Sequence, residues 1–295
     1  MAHVIAVANQ KEGVAKTTTV IHLGAAIAEQ GKRVLLVDLD PQGHLAEGFG
    51  IVSDKLKTEM SDVLDGSKKI AEIIIRNIRP SLDLAPSNIR LSDMELTLVN
   101  LRFREYKLKR AMEPVLGLYD YIIFDSPPNL GLLTINALMA ADKVIIPMAT
   151  EYYSMLGVSL LIKTVQAIKR EANPHLSILG IVHTRNRHTI HAQEVISRTK
   201  SELGEHVHIF AWPVNESTRF TEATGTGKTI YDTNPELAGA KAYRAIAEEI
   251  IKATTSPLRT TNTTHATPLS QPTQPAKTPQ APEITSSQVQ HDTHE

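Results

Sequence analysis

The sequence contains no cysteine. That excludes disulfides, thiolate metal centres and cysteine nucleophiles, and it fits a reducing compartment. Aromatic residues make up only 4% of the chain, so a core has to be assembled from Ile, Leu, Val and Ala. Neither sign of charge is in excess: the formal net charge is −1, and contact with nucleic acid would need a local basic patch rather than a global field. No run approaches the twenty apolar residues of a membrane span. The N-terminus lacks a basic region followed by a leader-like apolar stretch, and a cytoplasmic protein is expected. What is present is ordinary apolar material, 42% of 295 residues, enough for one α/β domain of about 250 residues.

Glycine is also missing where a motif search would look for it. The stretch Gln10-Lys11-Glu12-Gly13-Val14-Ala15-Lys16-Thr17-Thr18-Thr19 follows the apolar run Val4-Ile5-Ala6-Val7-Ala8, which reads as a buried parallel strand. An Ala-rich segment with apolar residues at helical spacing comes next, over 20–30. Strand, tight loop, Lys-Thr and helix is the layout of a phosphate-binding loop. The loop amides and the helix N-terminus face an anion, the lysine reaches the outer phosphates, and the threonine hydroxyl ligates Mg²⁺. The general pattern needs glycines where this chain has Gln10 and Ala15. A methyl at position 15 fits such a loop on condition that φ there is negative.

Further apolar runs end in acids. Val34-Leu35-Leu36-Val37 leads into Asp38-Leu39-Asp40-Pro41, and the two aspartates are expected to point the same way from the end of one strand. Tyr121-Ile122-Ile123-Phe124-Asp125 has the form of a Walker B strand, whose carboxylate holds the Mg²⁺ shell, usually through water. The carboxyl ends of such strands are where open α/β sheets bind ligands. Short helices are expected over 58–64 and 70–75, a strand over 82–86, and helices over 91–101, 105–116 and 132–140. Then follow a strand (143–148), a helix (152–170), a strand (177–183), a helix (191–203), a short strand (207–210) and a last helix (235–252). Strands alternating with helices predict a mostly parallel, doubly wound sheet with helices on both faces. Gly225-Thr226-Gly227-Lys228-Thr229 also contains Gly-Lys-Thr, but no buried strand precedes it, and it reads as a surface loop. From Thr254 the chain turns to Thr, Pro, Gln, Ser and His. An ordered domain over 1–253 and a disordered tail over 254–295 are expected, and the tail has no apolar face for a membrane surface.

Taken in order, Lys11-Glu12-Gly13-Val14-Ala15-Lys16-Thr17-Thr18, Asp38-Leu39-Asp40-Pro41-Gln42-Gly43 and Asp125-Ser126-Pro127-Pro128 resemble the ParA/Soj family of chromosome- and plasmid-partitioning ATPases, members of the ParA/MinD superfamily with a deviant Walker A loop. Leu130-Gly131-Leu132-Leu133-Thr134-Ile135-Asn136-Ala137-Leu138, Glu151-Tyr152-Tyr153 and Gly239-Ala240-Lys241-Ala242-Tyr243 extend the resemblance over residues 1–252. It implies an Mg²⁺-dependent ATP hydrolase. Lys11 would be the signature lysine that crosses a sandwich homodimer to the partner's nucleotide. Gly13, Val14, Ala15, Lys16, Thr17 and Thr18 would hold the phosphates, and Pro213 and Asn215 the adenine. Thr17, Asp40 and Asp125 would surround the metal, with Asp40 also positioning the attacking water. The resemblance further implies non-specific DNA binding by the ATP-bound dimer, a ParB-like partner that stimulates hydrolysis, and association with the nucleoid. The charge pattern suggests Arg185, Arg187, Arg198 and Lys200 as the DNA patch, with Arg219 as an addition.

The family's first loop glycine is Glu12 here. Its carboxylate either repels the phosphates, by roughly 1 to 4 kcal/mol at about 4 Å, or pairs with a basic group across the dimer, such as the partner's Lys11. Three alternatives to DNA segregation follow: the same cycle positioning a protein cargo, a nucleotide-binding scaffold that has lost turnover, and, weakest, a membrane-bound MinD-like ATPase.

Overall fold

The central strands of the protein are continuous apolar runs because both of their faces are covered. In the computed structural model they are β1 (His3–Val7), β2 (Val34–Asp38), β3 (Ile75–Arg79), β4 (Leu82–Ala85), β5 (Tyr121–Asp125), β6 (Lys143–Ala149) and β7 (Ser177–Thr184). Every residue of β2 and β5 is buried, as expected of strands inside a parallel sheet. The sheet order is β3-β4-β2-β5-β1-β6-β7, parallel throughout except for the antiparallel β3–β4 pair. The structure describes residues 1–151 and 154–255. The expectations for Tyr152, Tyr153 and the tail beyond residue 255 lie outside the described residues.

The longer helices are α1 (Lys16–Glu29), α2 (Arg90–Leu98), α3 (Leu132–Ala140), α4 (Ser154–Glu171), α5 (Ile190–Leu203), α6 (Thr218–Gly225) and α7 (Ala238–Thr255). Strand side chains alternate between faces with period two, and that alternation divides the core. Ile5, Val7, Leu36 and Ile123 pack with α1, α6 and α7. Val4, Ala6, Leu35, Val37, Ile122 and Phe124 pack with α2, α3, α4 and α5. Each such side chain contributes about 1.5–3 kcal/mol by leaving water. His22 of α1 enters an aromatic group with Phe220, Tyr231 and Tyr243. Burial drives its pKa down to about 3, so it packs as a neutral ring.

Several boundaries differ from those expected. The helix over 70–75 stops at Ile73, and β3 begins at Ile75 and pairs with β4. Arg76 reaches Asp83 and the Tyr119 hydroxyl there, partners that lie outside its local sequence. The 105–116 helix is reduced to Lys107–Met112, flanked by 3₁₀ turns, because Pro114 has no amide to continue it. The strand over 207–210 is replaced by an irregular strap. It touches the sheet at two isolated bridges, Ile181 with Ile209 and Asn186 with Asn215, and Pro213 lacks a donor between them. The stretch 225–229 is a surface loop, as expected, with Gly225, Thr226 and Lys228 exposed. It joins α6 to a one-turn helix, Ile230–Thr233, and a Cβ on Gly227 would sit 3.0 Å from Gly50 Cα.

Candidate functional site

β1 ends at the centre of the sheet, between β5 and β6, and the chain then turns through residues 9–15 into α1. The turn is held by its carbonyls. Lys16 Nζ donates to Lys11 O at 3.4 Å, Arg185 Nη1 to Gly13 O at 3.1 Å, Thr184 Oγ1 to Val14 O at 2.9 Å, and Thr19 Oγ1 to Ala15 O at 2.7 Å. Buried Asn9 fixes the entry, donating to Pro147 O and accepting from the Lys11 amide. Among the described residues the amides of Glu12, Gly13 and Ala15 donate to no protein acceptor. Pinned carbonyls and free amides at a helix N-terminus make an anion cradle.

Gly13 has φ +69 and Ala15 has φ +63. The second value shows that the condition of a negative φ at position 15 is not met. The left-handed region costs an L-residue about 1–2 kcal/mol, and glycine returns part of that through about 0.4–1 kcal/mol of extra freedom in the unfolded chain. Ala15→Gly is therefore expected to stabilise the nucleotide-free protein by up to about 1 kcal/mol. It should raise the urea midpoint at unchanged slope; a lower midpoint would show that the methyl packs favourably.

Three acids and a lysine lie under the loop. Asp38 and Asp125 are directly paired in register on β2 and β5. β2 ends at Asp38, so Asp40 does not share the strand face with it as expected. Asp40 stands in the following turn, half-exposed, and accepts the Gln42 amide at 3.0 Å. Buried Asp38 accepts the amides of Asp40 and Leu45. Asp125 is 1% exposed, and neither of its oxygens has a hydrogen-bond partner of good geometry. Burial raises its pKa, and Asp40 adds to the rise. The Thr17 hydroxyl and Lys16 are close enough to oppose it. Lys16 is 8% exposed, and its pKa is lowered because burial outweighs the attraction of Asp125, Asp40 and Glu12.

These residues fit Mg²⁺ and a polyphosphate. An orphaned buried carboxylate and a neighbouring hydroxyl are hard oxygen donors, and a buried ammonium held at net cost calls for an anion. No group of three or more His, Cys, Asp or Glu suited to hold a metal occurs among the described residues. A Mg²⁺ here would draw the rest of its shell from phosphate and water.

Lys11 turns back on its own chain. Its ammonium pairs with Glu151 at 2.5 Å and reaches Ser154 Oγ at 3.4 Å. Glu12 is exposed, with no hydrogen-bond or salt-bridge partner among the described residues. Beside the loop lies a cleft of about 740 Å³ lined by Gly13, Thr18, Val214, Asn215, Phe220 and Tyr243. Asn215 is held by Asn186 and His188. Pro213 lines a different pocket, next to Trp212 and α5.

The arginines proposed for DNA are engaged locally. Arg185 and Arg187 share Glu216, Arg198 pairs with Glu202, and Arg219 with Glu222. With Glu194, Glu205 and Lys200, residues 185–222 hold five Lys or Arg against five carboxylates, so the patch is nearer neutral than its sequence suggests. Asp38, Asn9, Thr184 and Tyr243 complete the site without having been expected as site residues. Only Asp38 carried a local signal, its place at the end of an apolar run.

A family model described as an AAA domain matches residues 2–178. The sporulation initiation inhibitor protein Soj of Bacillus subtilis (strain 168) is 42% identical over 251 residues, 85% of this chain and 98% of that protein. The chromosome partitioning protein ParA of Caulobacter vibrioides (strain NA1000 / CB15N) is 37% identical over 251 residues, 84% of this chain and 93% of its own length. Among solved structures, cobyrinic acid a,c-diamide synthase from Mycobacterium smegmatis with bound ATP analog and magnesium is 36% identical. It superposes with a TM-score of 0.77, covering 87% of this chain and 97% of its own.

Proposed function

Because this chain belongs to the ParA/Soj family of ATPases, within the ParA/MinD superfamily, we propose that it hydrolyses Mg-ATP as a partitioning ATPase. In this reading the ATP-bound homodimer binds DNA without sequence preference, and a ParB-like partner stimulates turnover to drive DNA segregation. The observation that carries the nucleotide part is the loop itself: pinned carbonyls, free amides and a buried lysine at a helix N-terminus.

The roles divide by position. The free amides and Lys16 hold the phosphates, Thr17 donates a hydroxyl oxygen to Mg²⁺, and Asp125 and Asp40 hold its water shell. Bound Mg²⁺ supplies charge neutralisation to the phosphates. Asp40, in the exposed turn, orients the water that attacks the outer phosphorus, and the remaining barrier falls by positioning and charge stabilisation. Lys11 leaves Glu151 to reach the partner protomer's nucleotide. DNA phosphates compete with Glu216, Glu202 and Glu222 for Arg187, Arg198 and Arg219, so binding is steeply salt-dependent. Among the described residues no helix is long and apolar enough to cross a membrane.

The exposed, unpartnered Glu12 favours one second reading, a nucleotide-bound scaffold with little turnover. ATP turnover of the wild type, Asp40→Ala and Glu12→Gly, each with and without duplex DNA, separates the two. Hydrolysis predicts DNA-stimulated wild-type turnover that falls by about 10²-fold or more in Asp40→Ala with ATP binding retained. Turnover unchanged in Asp40→Ala would move the water-positioning role elsewhere. A wild type that binds ATP without turnover, and gains it in Glu12→Gly, would be the scaffold.

A further inference from the structure

We propose that Arg185 is a positioning residue of the nucleotide site. Its guanidinium ties the Gly13 carbonyl to Glu216, holding the phosphate loop and the segment that lines the cleft as one piece. The proposal rests on the nucleotide reading of the loop.

Arg185 directly follows β7, and its side chain, 39% exposed, reaches back to the loop. Nη1 donates to Gly13 O at 3.1 Å, while Nε and Nη2 donate to one Glu216 oxygen at 3.0 and 2.7 Å. Its backbone is left-handed, at φ +48, a conformation that a bulky residue keeps only where its surroundings hold it. Those surroundings are specific. The preceding Thr184 is buried and donates to Val14 O, so two consecutive residues at the end of β7 hold two consecutive loop carbonyls. Thr150 Oγ1 lies 3.4 Å from the Arg185 carbonyl. Glu216 directly follows the strap that runs alongside β7, and Gly13, Arg185 and Glu216 line the same cleft.

Arg187 provides the internal control. It carries the same charge and binds the other Glu216 oxygen, but its side chain is 67% exposed and, among the described residues, makes no hydrogen bond to the loop. A role in charge alone would not distinguish the two arginines. A role in bridging needs the fork of a guanidinium, with donors aimed at two acceptors, which a lysine cannot reproduce.

The test compares Arg185→Ala, Arg185→Lys, Arg187→Ala and Glu216→Gln in the full chain. The readouts are hydrogen exchange of loop amides 10–16 in nucleotide-free protein and titration with a fluorescent ATP analogue. Both Arg185 variants are expected to speed loop exchange and weaken the analogue by about tenfold, the scale of a lost charge-assisted hydrogen bond. Arg187→Ala, which leaves the Gly13 contact in place, should change both by less than Arg185→Lys does. Arg185→Ala combined with Glu216→Gln should be no weaker than the weaker single variant, as for residues acting as a unit. Wild-type exchange and affinity in Arg185→Lys, or an equal effect from Arg187→Ala, would overturn the proposal. If Arg185→Ala does not fold, Arg185→Lys carries the same comparison. A wild type that fails to bind the analogue would refute the nucleotide reading instead, and ligand-free exchange would still decide whether Arg185 holds the loop.

Discussion

Lys16→Ala protein is expected to fold and to have lost ATP. In the nucleotide-free chain the ammonium is held against its preference, since burial outweighs every nearby carboxylate. Among the described residues its one protein hydrogen bond is a long one, 3.4 Å to the Lys11 carbonyl. Removing the side chain therefore takes away little that the fold uses. With nucleotide present the same ammonium is expected to meet phosphate oxygens at the helix N-terminus. Losing that charge-assisted contact costs about 3 kcal/mol, or roughly a hundredfold in affinity. Calorimetric titration with Mg-ATP, next to a thermal melt without ligand, reads both halves. Unchanged affinity would move the phosphate lysine elsewhere, and a collapse of the ligand-free melt would show that Lys16 is a structural residue.

Asp125→Asn should produce two melting curves that exchange order. The Asp125 carboxylate is buried beside Asp38, without a well-formed hydrogen bond. Folding raises its pKa, so its ionised form opposes the fold. That loss of stability sets in as pH climbs above the ordinary aspartate value and is complete once pH passes the raised, folded value. Asparagine removes the charge at nearly constant shape and should stabilise the ligand-free protein by about 1–3 kcal/mol at neutral pH. The variant also loses the carboxylate that Mg-ATP binding would use. Wild type gains about 2.7 kcal/mol when ligand is a hundred times its dissociation constant, and the variant should gain almost nothing. Without ligand the variant melts higher; with Mg-ATP the wild type does. An equal ligand-induced shift in both proteins would remove Asp125 from the metal site.

The loop and the acids at the ends of β2 and β5 are legible in the sequence because each closes a continuous apolar run. Strand, turn and helix then follow from neighbouring residues. What is not legible depends on distant partners. The φ of Ala15 is set in a loop whose carbonyls are drawn by Thr184 and Arg185, about 170 positions further along. The charge of the 183–200 segment looks basic when read locally, and it is offset by Glu202 and Glu216 from later segments. Asp40 is separated from Asp38 by the end of a strand that pairing with β5 decides. Ile73, Ile74 and Ile75 satisfy a helical and an extended pattern equally, and the β4 partner settles the choice.

The two margins of the sheet limit how this protein can assemble. At one margin β3 is short and antiparallel, has an irregular register, carries Arg76 and Arg79, and bends through Asn77 at φ +51. At the other, the strap over 207–215 takes the outer hydrogen bonds of β7. His208 O and Val214 O accept from Ile181 and Asn186, and the amides of Phe210 and Val214 donate to Ile181 O and His183 O. Neither margin offers a flat row of unsatisfied backbone groups on which a further strand could template. Growth by strand addition, the route to fibrils, is thereby discouraged at both ends of the sheet. Copies of this chain are left to meet through side chains and loop rims, where association can be made and undone with the state of a ligand.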